Sequence, residues 1–316
     1  MSGPIADLSY RNYDGPLEKP LYRWWGIAKM MMRLGSKKKM FWVWSSMSAL
    51  PYLLLATVFY FADTLSAQLP PTGSQIPQFF RAIVWKDQFL TAFNWSQIWL
   101  LIITLLIGAG AIAGDNRANA LLVYLSKPCT KGDYLLGKWF GMFLPLLAVV
   151  GAPMLLFYGY CFLSYRQYGF VSQDPYLFFK LLAVMPIPAA IHTSLILGVS
   201  SVTNQGRVAG GIYAGIYFLT SFVAIAAEGI RGVNYVSGGE SPILVNLSYA
   251  SVTGLQQGLT KAVLGTSGSP PFGVPSPVPM PPAPPLFLFS MLAIGICAVS
   301  LLIAWRRIRA VEVIGG

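Results

Sequence analysis

The sequence predicts an all-α integral membrane protein with six transmembrane helices, and three observations support this fold class. Of the 316 residues, 55% are hydrophobic and only 10% are charged, whereas a soluble domain carries about 25% charged residues. Apolar runs of about 20 residues recur along the chain, and one helix needs about that length to cross a bilayer. Lysine and arginine are concentrated in the segments that lie on one side of the membrane when these runs are threaded through it, as expected for a fixed orientation.

The N-terminal segment, residues 1–40, is predicted to be cytoplasmic and to contain a basic amphipathic helix at the membrane surface. Lys29, Arg33 and Lys37 recur every four residues and therefore share one helix face. Trp24 begins an apolar face that points away from them. Such a helix lies on anionic headgroups. A positively charged flank without a defined helix is the alternative interpretation.

The transmembrane domain is predicted to cover residues 41–305, followed by a cytoplasmic tail at 306–316. The fourth span contains Pro186 and Pro188, which predict a kink or a local unwinding. The six predicted spans are 41–61, 95–113, 139–163, 177–202, 207–227 and 286–305.

The distribution of basic residues predicts the orientation of these spans. With both termini in the cytoplasm, sixteen of the 22 lysines and arginines lie on the cytoplasmic side, as the positive-inside rule requires. The loop at 114–138 is then cytoplasmic, and the loop at 228–285 lies outside. Within the outer loop, residues 241–265 are predicted to form one or two half-apolar helices. The proline-rich segment 269–285 is predicted to be an extended tether. A multi-pass location in the plasma or inner membrane is expected.

The sequence lacks the motifs of several enzyme classes. It contains no GxxxxGK[ST], GxSxG or HExxH pattern, and its three cysteines form no CxxC pair. We therefore expect no disulfide framework, no metal site, no cofactor bound by this chain and no nucleic-acid partner. The single histidine, His192, lies within the fourth span. It is interpreted as a packed interior residue, with a functional ionisable group as the alternative.

Glycines at a spacing of four residues predict close helix packing, because small residues let two backbones approach. Contact within one chain and contact between two copies are both open. The glycines in this pattern are Gly110, Gly114, Gly206, Gly210, Gly211 and Gly215.

The loop at 114–138 contains apolar residues that a simple polar connection between two spans does not require. A charged beginning is followed by an apolar stretch, ALLVYL, and then by a proline that ends any helix. A short helix cannot bury these apolar side chains by itself, so they need a groove in lipid or in a partner protein. The candidate site residues are Asp115, Arg117, Leu121, Leu122, Tyr124, Leu125, Ser126, Pro128 and Lys131. Asp115 is expected to pair with a basic residue, such as Arg33 or Arg117, and a solvated boundary residue is the alternative.

This region resembles the permease subunits of type-2 ABC exporters. Asp115 stands where the family commonly has glutamate, Lys131 stands where it has arginine, and Asn119-Ala120 replaces its usual Gly-Thr. The residues that carry the resemblance are Gly110, Ile112, Ala113, Asp115, Leu121, Leu125, Ser126, Pro128, Thr130, Lys131, Tyr134, Leu135, Leu136, Gly137 and Lys138.

The resemblance implies that the loop is a coupling helix that docks on a separate ABC-type ATP-binding subunit, present in two copies. ATP and Mg²⁺ would bind that partner, and the permease would pair with itself or with a homologue. A membrane anchor or assembly factor that recruits a cytosolic ATPase without transport is one alternative. An intramembrane enzyme acting on lipid, with His192 as its base, is another. The resemblance does not name the transported substrate.

Overall fold

A computed structural model describes residues 22–68, 80, 83–120, 129–237, 239, 241–269 and 278–308, and their regular secondary structure is helical. In chain order the helices are α1 (Arg23–Ser36), α2 (Lys39–Gln68), α3 (Trp85–Gly108), α4 (Ala113–Arg117), α5 (Lys131–Ser164), α6 (Phe170–Gln173), α7 (Leu177–Val184), α8 (Pro186–Val202), α9 (Gly206–Val236), α10 (Pro242–Leu247), α11 (Val252–Leu264) and α12 (Leu286–Arg307).

Six helical stretches within these residues are long and apolar enough to cross a membrane, which confirms the predicted number of spans. Several bounds differ from the prediction: the first-span helix, Lys39–Gln68, and the third-span helix, Lys131–Ser164, are both longer than predicted. Two further differences have a clear physical reason. The helix of the second span begins at Trp85, ten residues before the predicted span at 95–113, because Asp87 and Gln88 are buried rather than solvated. The helix of the fifth span continues to Val236, beyond the predicted end at residue 227, since the buried Arg231 finds partners within the protein.

The predicted interruption of the fourth span occurs at Met185, between α7 and α8. Pro186 is the first residue of α8 and has no N–H to donate to the carbonyl of Leu182 four residues earlier. The two segments nevertheless form one candidate span, Leu177–Val202. The second and fourth spans are the most buried, and the fifth and sixth are the least. The fold is therefore built around α3, α5 and α8.

An aromatic cluster closes the end of the bundle that is predicted to face outwards. The ring of Trp85 lies 5.6 Å from Phe59 and 5.2 Å from Tyr165, and Phe80 stacks on Tyr165 at 5.1 Å. All four side chains are almost completely buried. Edge and offset contacts at these distances add to the stabilisation from burial alone. The cluster joins the first, second and third spans.

The proline-rich segment is clamped rather than a free tether in its described part, residues 278–285. Arg231 donates to the carbonyl of Pro279 at 2.7 Å, and Lys261 donates to the carbonyl of Pro281 at 3.0 Å. Both cationic side chains are about 1% exposed, and burial lowers the pKa of Lys261 to about 8. Buried cations need acceptors, and an extended proline chain leaves its carbonyls unpaired. The predicted helices between 241 and 265 are α10 and α11.

Helix α1 packs across the beginning of α5, a contact that the sequence did not predict. A Cβ atom on Gly137 would lie 2.6 Å from the Cβ of Ile27, and one on Gly141 would lie 3.0 Å from the carbonyl oxygen of Ala28. The part of the apolar face of α1 that contains Ile27, Ala28 and Met31 is therefore covered by a span. Its position at the cytoplasmic surface stays a prediction.

The Gly141→Leu variant should displace α1, because the added side chain has no room beside Ala28. Overpacking of a close contact costs about 1–3 kcal/mol, so we expect a lower unfolding temperature of the purified chain in detergent. Gly159→Leu is the matched control, since a Cβ at Gly159 of the same helix meets open space. Equal unfolding temperatures for the two variants would contradict the close packing of α1 on α5.

Candidate functional site

The candidate site is the loop between the second and third spans, of which residues 114–120 and 129–138 are described. The short apolar helix predicted in this loop, and the proline predicted to end it, are not tested by the structure. The residues that form them, Leu121, Leu122, Tyr124, Leu125, Ser126 and Pro128, lie outside the described residues. The structure therefore defines the two ends of the loop.

At the first end of the loop the helix of the second span is interrupted, and the side chain of Ser200 hydrogen-bonds to the interrupted backbone. Helix α3 ends at Gly108, and α4 begins at Ala113 after four residues in turns. The hydroxyl of Ser200 on α8 accepts from the N–H groups of Ile112 at 3.1 Å and Ala113 at 3.0 Å, and it donates to the carbonyl of Ala109 at 2.9 Å. The backbone groups left open at a helix end are thus satisfied by one side chain of the fourth span.

Two further contacts fasten this break. The amide of Asn116 donates to the carbonyls of Ser201 at 3.4 Å and Thr203 at 3.3 Å, at the end of α8. From the other side, the ammonium of Lys38 donates to the carbonyl of Leu106 in the last turn of α3 at 2.6 Å. The end of the second span is therefore held both by the fourth span and by the segment that precedes the first.

Asp115 joins the two ends of the loop. Its Oδ2 atom lies 2.7 Å from the ammonium of Lys138, and it accepts a hydrogen bond of 2.7 Å from the hydroxyl of Tyr134. The expected partners of Asp115, Arg33 and Arg117, are not the ones that the structure shows. Lys138 takes this place because Tyr134 and Lys138, four residues apart on α5, share the face that meets α4. The pair is largely shielded, with the side chains of Lys138 and Asp115 11% and 20% exposed.

The second end of the loop is fixed by a capping box at the start of α5. The N–H of Asp133 donates to the hydroxyl of Thr130 at 3.1 Å, and the N–H of Thr130 donates to the carboxylate of Asp133 at 3.0 Å. This reciprocal pair satisfies two of the open N–H groups of the helix start. Lys131, a predicted site residue, is the first residue of α5 and is half-buried.

Several contributors to this site were not assigned from the sequence. Tyr134 and Lys138 are among the residues that carry the family resemblance. Their spacing of four residues was the sequence feature that could have predicted a shared helix face. Ser200 and Lys38 carried no such signal, because a serine near a span end or a lysine before a span is common. The arrangement ties the loop to four of the six spans or their flanks.

The glycine pattern divides into two groups. A Cβ on Gly206 would lie 3.1 Å from the Cα of Gly110, and one on Gly210 would lie 3.5 Å from the Cβ of Ala109. These glycines therefore pack α9 on the end of the second span within one chain. Around Gly114, Gly211 and Gly215 a Cβ meets no atom within 4 Å.

His192 is completely buried in α8. Its Nδ1 atom lies 2.6 Å from the hydroxyl of Tyr213, and its ring stacks on Tyr217 at 6.2 Å between centroids. This packing places the histidine at the contact between the fourth and fifth spans. Among the described residues, no cluster of three or more His, Cys, Asp or Glu side chains is arranged to hold a metal.

Comparison with known proteins agrees with the geometry of a multi-pass helical protein. A family model described as ABC-2 family transporter protein matches residues 25–307. The chain belongs to the ABC-2 transporter family. It is therefore a membrane permease component of an ABC transporter, has no ATPase site of its own and is of the kind that pairs with an ABC ATP-binding subunit. None of the curated proteins matches it.

Removal of either partner of the Asp115–Lys138 pair should destabilise the permease. The pair is neither fully exposed nor fully buried, so a cost of about 1–3 kcal/mol is expected for Asp115→Asn or for Lys138→Met. The double variant should lose less than the two single losses added together, because one interaction is removed in each case. Unfolding in detergent measures this cycle.

Arg117→Gln is the control, since the Arg117 side chain is exposed and lies in the same loop. It should change the free energy of unfolding by less than about 0.5 kcal/mol. Additive losses in the cycle would show that Asp115 and Lys138 act independently, against the geometry described above.

Proposed function

We propose that this permease forms the translocation path of an ATP-driven exporter and is coupled to its ATP-binding subunit through the loop at 114–138. The observation that carries this proposal is the fixation of both loop ends. The Asp115–Lys138 ion pair closes the base of the loop, and Ser200 joins its first end to the fourth span. A displacement imposed on residues 121–128 would therefore reach the second, third and fourth spans together.

The composition of the loop supports a protein partner. Between the fixed ends the sequence places apolar side chains, with Arg117 and Lys131 at the margins. An apolar centre with a charged rim is typical of protein interfaces, in which the charges favour register and encounter. ATP and Mg²⁺ would bind the partner, and hydrolysis there would supply the free energy for transport.

The positive-inside distribution supports the orientation that this function requires. It favours a cytoplasmic position for the loop and both termini, where an ATP-binding subunit would have access to ATP. We therefore propose a plasma-membrane or inner-membrane location and transport out of the cytoplasm.

Pairing of two permease chains completes the proposal. The fifth span exposes most of one face, including Gly211, Gly215 and Phe222. Small residues in open space on a span permit a second helix to approach closely. A second copy, or a homologous permease, would cover this face together with the first span, above two ATP-binding subunits.

Docking of the loop is tested by Leu122→Asp. An unpaired charge in an apolar groove is strongly unfavourable, so the ATP-binding subunit that copurifies with the tagged permease should bind at least about 100-fold more weakly. Asn119→Asp is the control, because it adds the same charge three residues away at an exposed position with a φ of 50° that aspartate tolerates. Wild-type affinity of the Leu122→Asp variant would place the docking site elsewhere.

Pairing of the permease is tested by Gly211→Leu with Gly215→Leu. These side chains would fill the space needed by a second helix without disturbing the chain itself, so the mass of the detergent-solubilised complex should fall to that of one permease chain. Gly206→Leu is the contrasting variant, since it should instead lower the unfolding temperature by separating α9 from Gly110. Retention of the original mass by the double variant would exclude this face as the contact.

A further inference from the structure

A groove of about 830 Å³ opens between α1, α2 and α5, on a surface separate from the loop. Its long wall runs along α5 from Gly141 to Leu156, a rise of about 22 Å at 1.5 Å per residue. Ala148 and Ala152 make this wall shallow, and Leu156 at its far end is 75% exposed. An apolar groove of this length along a transmembrane helix fits a hydrocarbon chain.

One end of the groove is cationic. Lys29 and Arg33, one turn apart on α1, both line it and are exposed. No acidic residue is among the lining residues, and within the described part of the chain neither cation takes part in an ion pair. The charged end therefore attracts an anion.

The apolar wall also contains backbone acceptors. Pro145 and Pro153 line the groove and have no N–H. Their positions therefore supply no donor to the carbonyls of Gly141 and Val149, four residues earlier, and these two residues line the groove as well. Gly141 lies beside Ala28 and Met31 of α1, so its carbonyl adds an acceptor near the cationic end and favours a ligand that is polar there. The occupant suited to this groove has an anionic polar end and a long apolar end.

We propose that this groove binds an anionic glycerophospholipid. Its phosphate lies between Lys29 and Arg33, and one acyl chain lies along α5 towards Leu156. A bilayer supplies such a molecule at the depth of a surface helix, where each lysine or arginine contributes about 1 kcal/mol to binding of anionic lipid. The N-terminal segment 1–21 is a poorer occupant, since it lacks an apolar run that could fill the slot.

The bound lipid would have a structural consequence for α1. This helix rests on α5 through its apolar face, and its basic face is turned towards the groove. A lipid shared by α1, α2 and α5 would fix the angle of α1. The stability of the permease should then depend on anionic lipid, whether or not an ATP-binding subunit is present.

The proposal is tested with a photoreactive benzoylphenylalanine in place of Ala152 in the full chain. The protein is reconstituted in vesicles of equal parts phosphatidylglycerol and phosphatidylcholine, irradiated and analysed by mass spectrometry. We expect adducts with the mass of phosphatidylglycerol in excess over phosphatidylcholine. Lys29→Gln with Arg33→Gln should reduce this excess by about 25-fold, at about fivefold for each cation. The matched control, Arg306→Gln with Arg307→Gln, removes the same charge from another helix and should leave it unchanged.

A second variant tests the slot itself. Ala148→Trp should abolish lipid adducts at position 152 by filling the groove, whereas Ala298→Trp, at an exposed position on α12, should not. Adducts to residues 1–21 or to a second permease chain would overturn the proposal. Equal capture of the two lipids would also overturn it. The same would follow if the Arg306 and Arg307 control lost as much phosphatidylglycerol adduct as the Lys29 and Arg33 variant. These outcomes are independent of ATPase docking.

Discussion

A backbone N–H or C=O that lies outside a regular helix and away from water must find a partner in the protein, because neither lipid nor an apolar interior offers one. This constraint accounts for several polar contacts of the structure. The break after Gly108 is repaired by Ser200 and Lys38. The carbonyls of the proline-rich segment are met by Arg231 and Lys261. Some of the buried polar side chains, among them Ser200, Arg231 and Lys261, therefore lie beside irregular backbone and hold it in one conformation.

The same repairs connect the loop to the body of the permease. Asp115 meets Lys138 on the third turn of α5, and one residue earlier Gly137 accepts the packing of α1. The base of the loop and the support of α1 are thus neighbouring positions on one helix. A rotation of the beginning of α5 would change both contacts at once. This geometry couples the proposed docking site to α1 through the beginning of α5.

The fold was predictable from the sequence where one-dimensional signals are strong. The lengths of the apolar runs predicted the six spans, and Pro186 predicted the interruption of the fourth. Both predictions depend only on residues within a single helix. The partner of Asp115 was predicted wrongly, since several cations lie nearby in sequence and only the orientation of α5 selects Lys138. The burial of Arg231 and Lys261 was not predicted. Their burial depends on carbonyl acceptors from prolines nearly 50 and 20 residues away, which no local pattern reveals.

The glycines of the fifth span show how one motif can serve two surfaces. Gly206 and Gly211 are five positions apart, so they differ in direction by about 140° around a helix of 3.6 residues per turn. The first pair, Gly206 and Gly210, packs against the end of the second span within the chain. The second pair, Gly211 and Gly215, faces open space. A small-residue motif alone cannot distinguish these roles, because close approach is equally possible on both sides. Once α9 is fixed against the second span, only the second pair remains available for assembly.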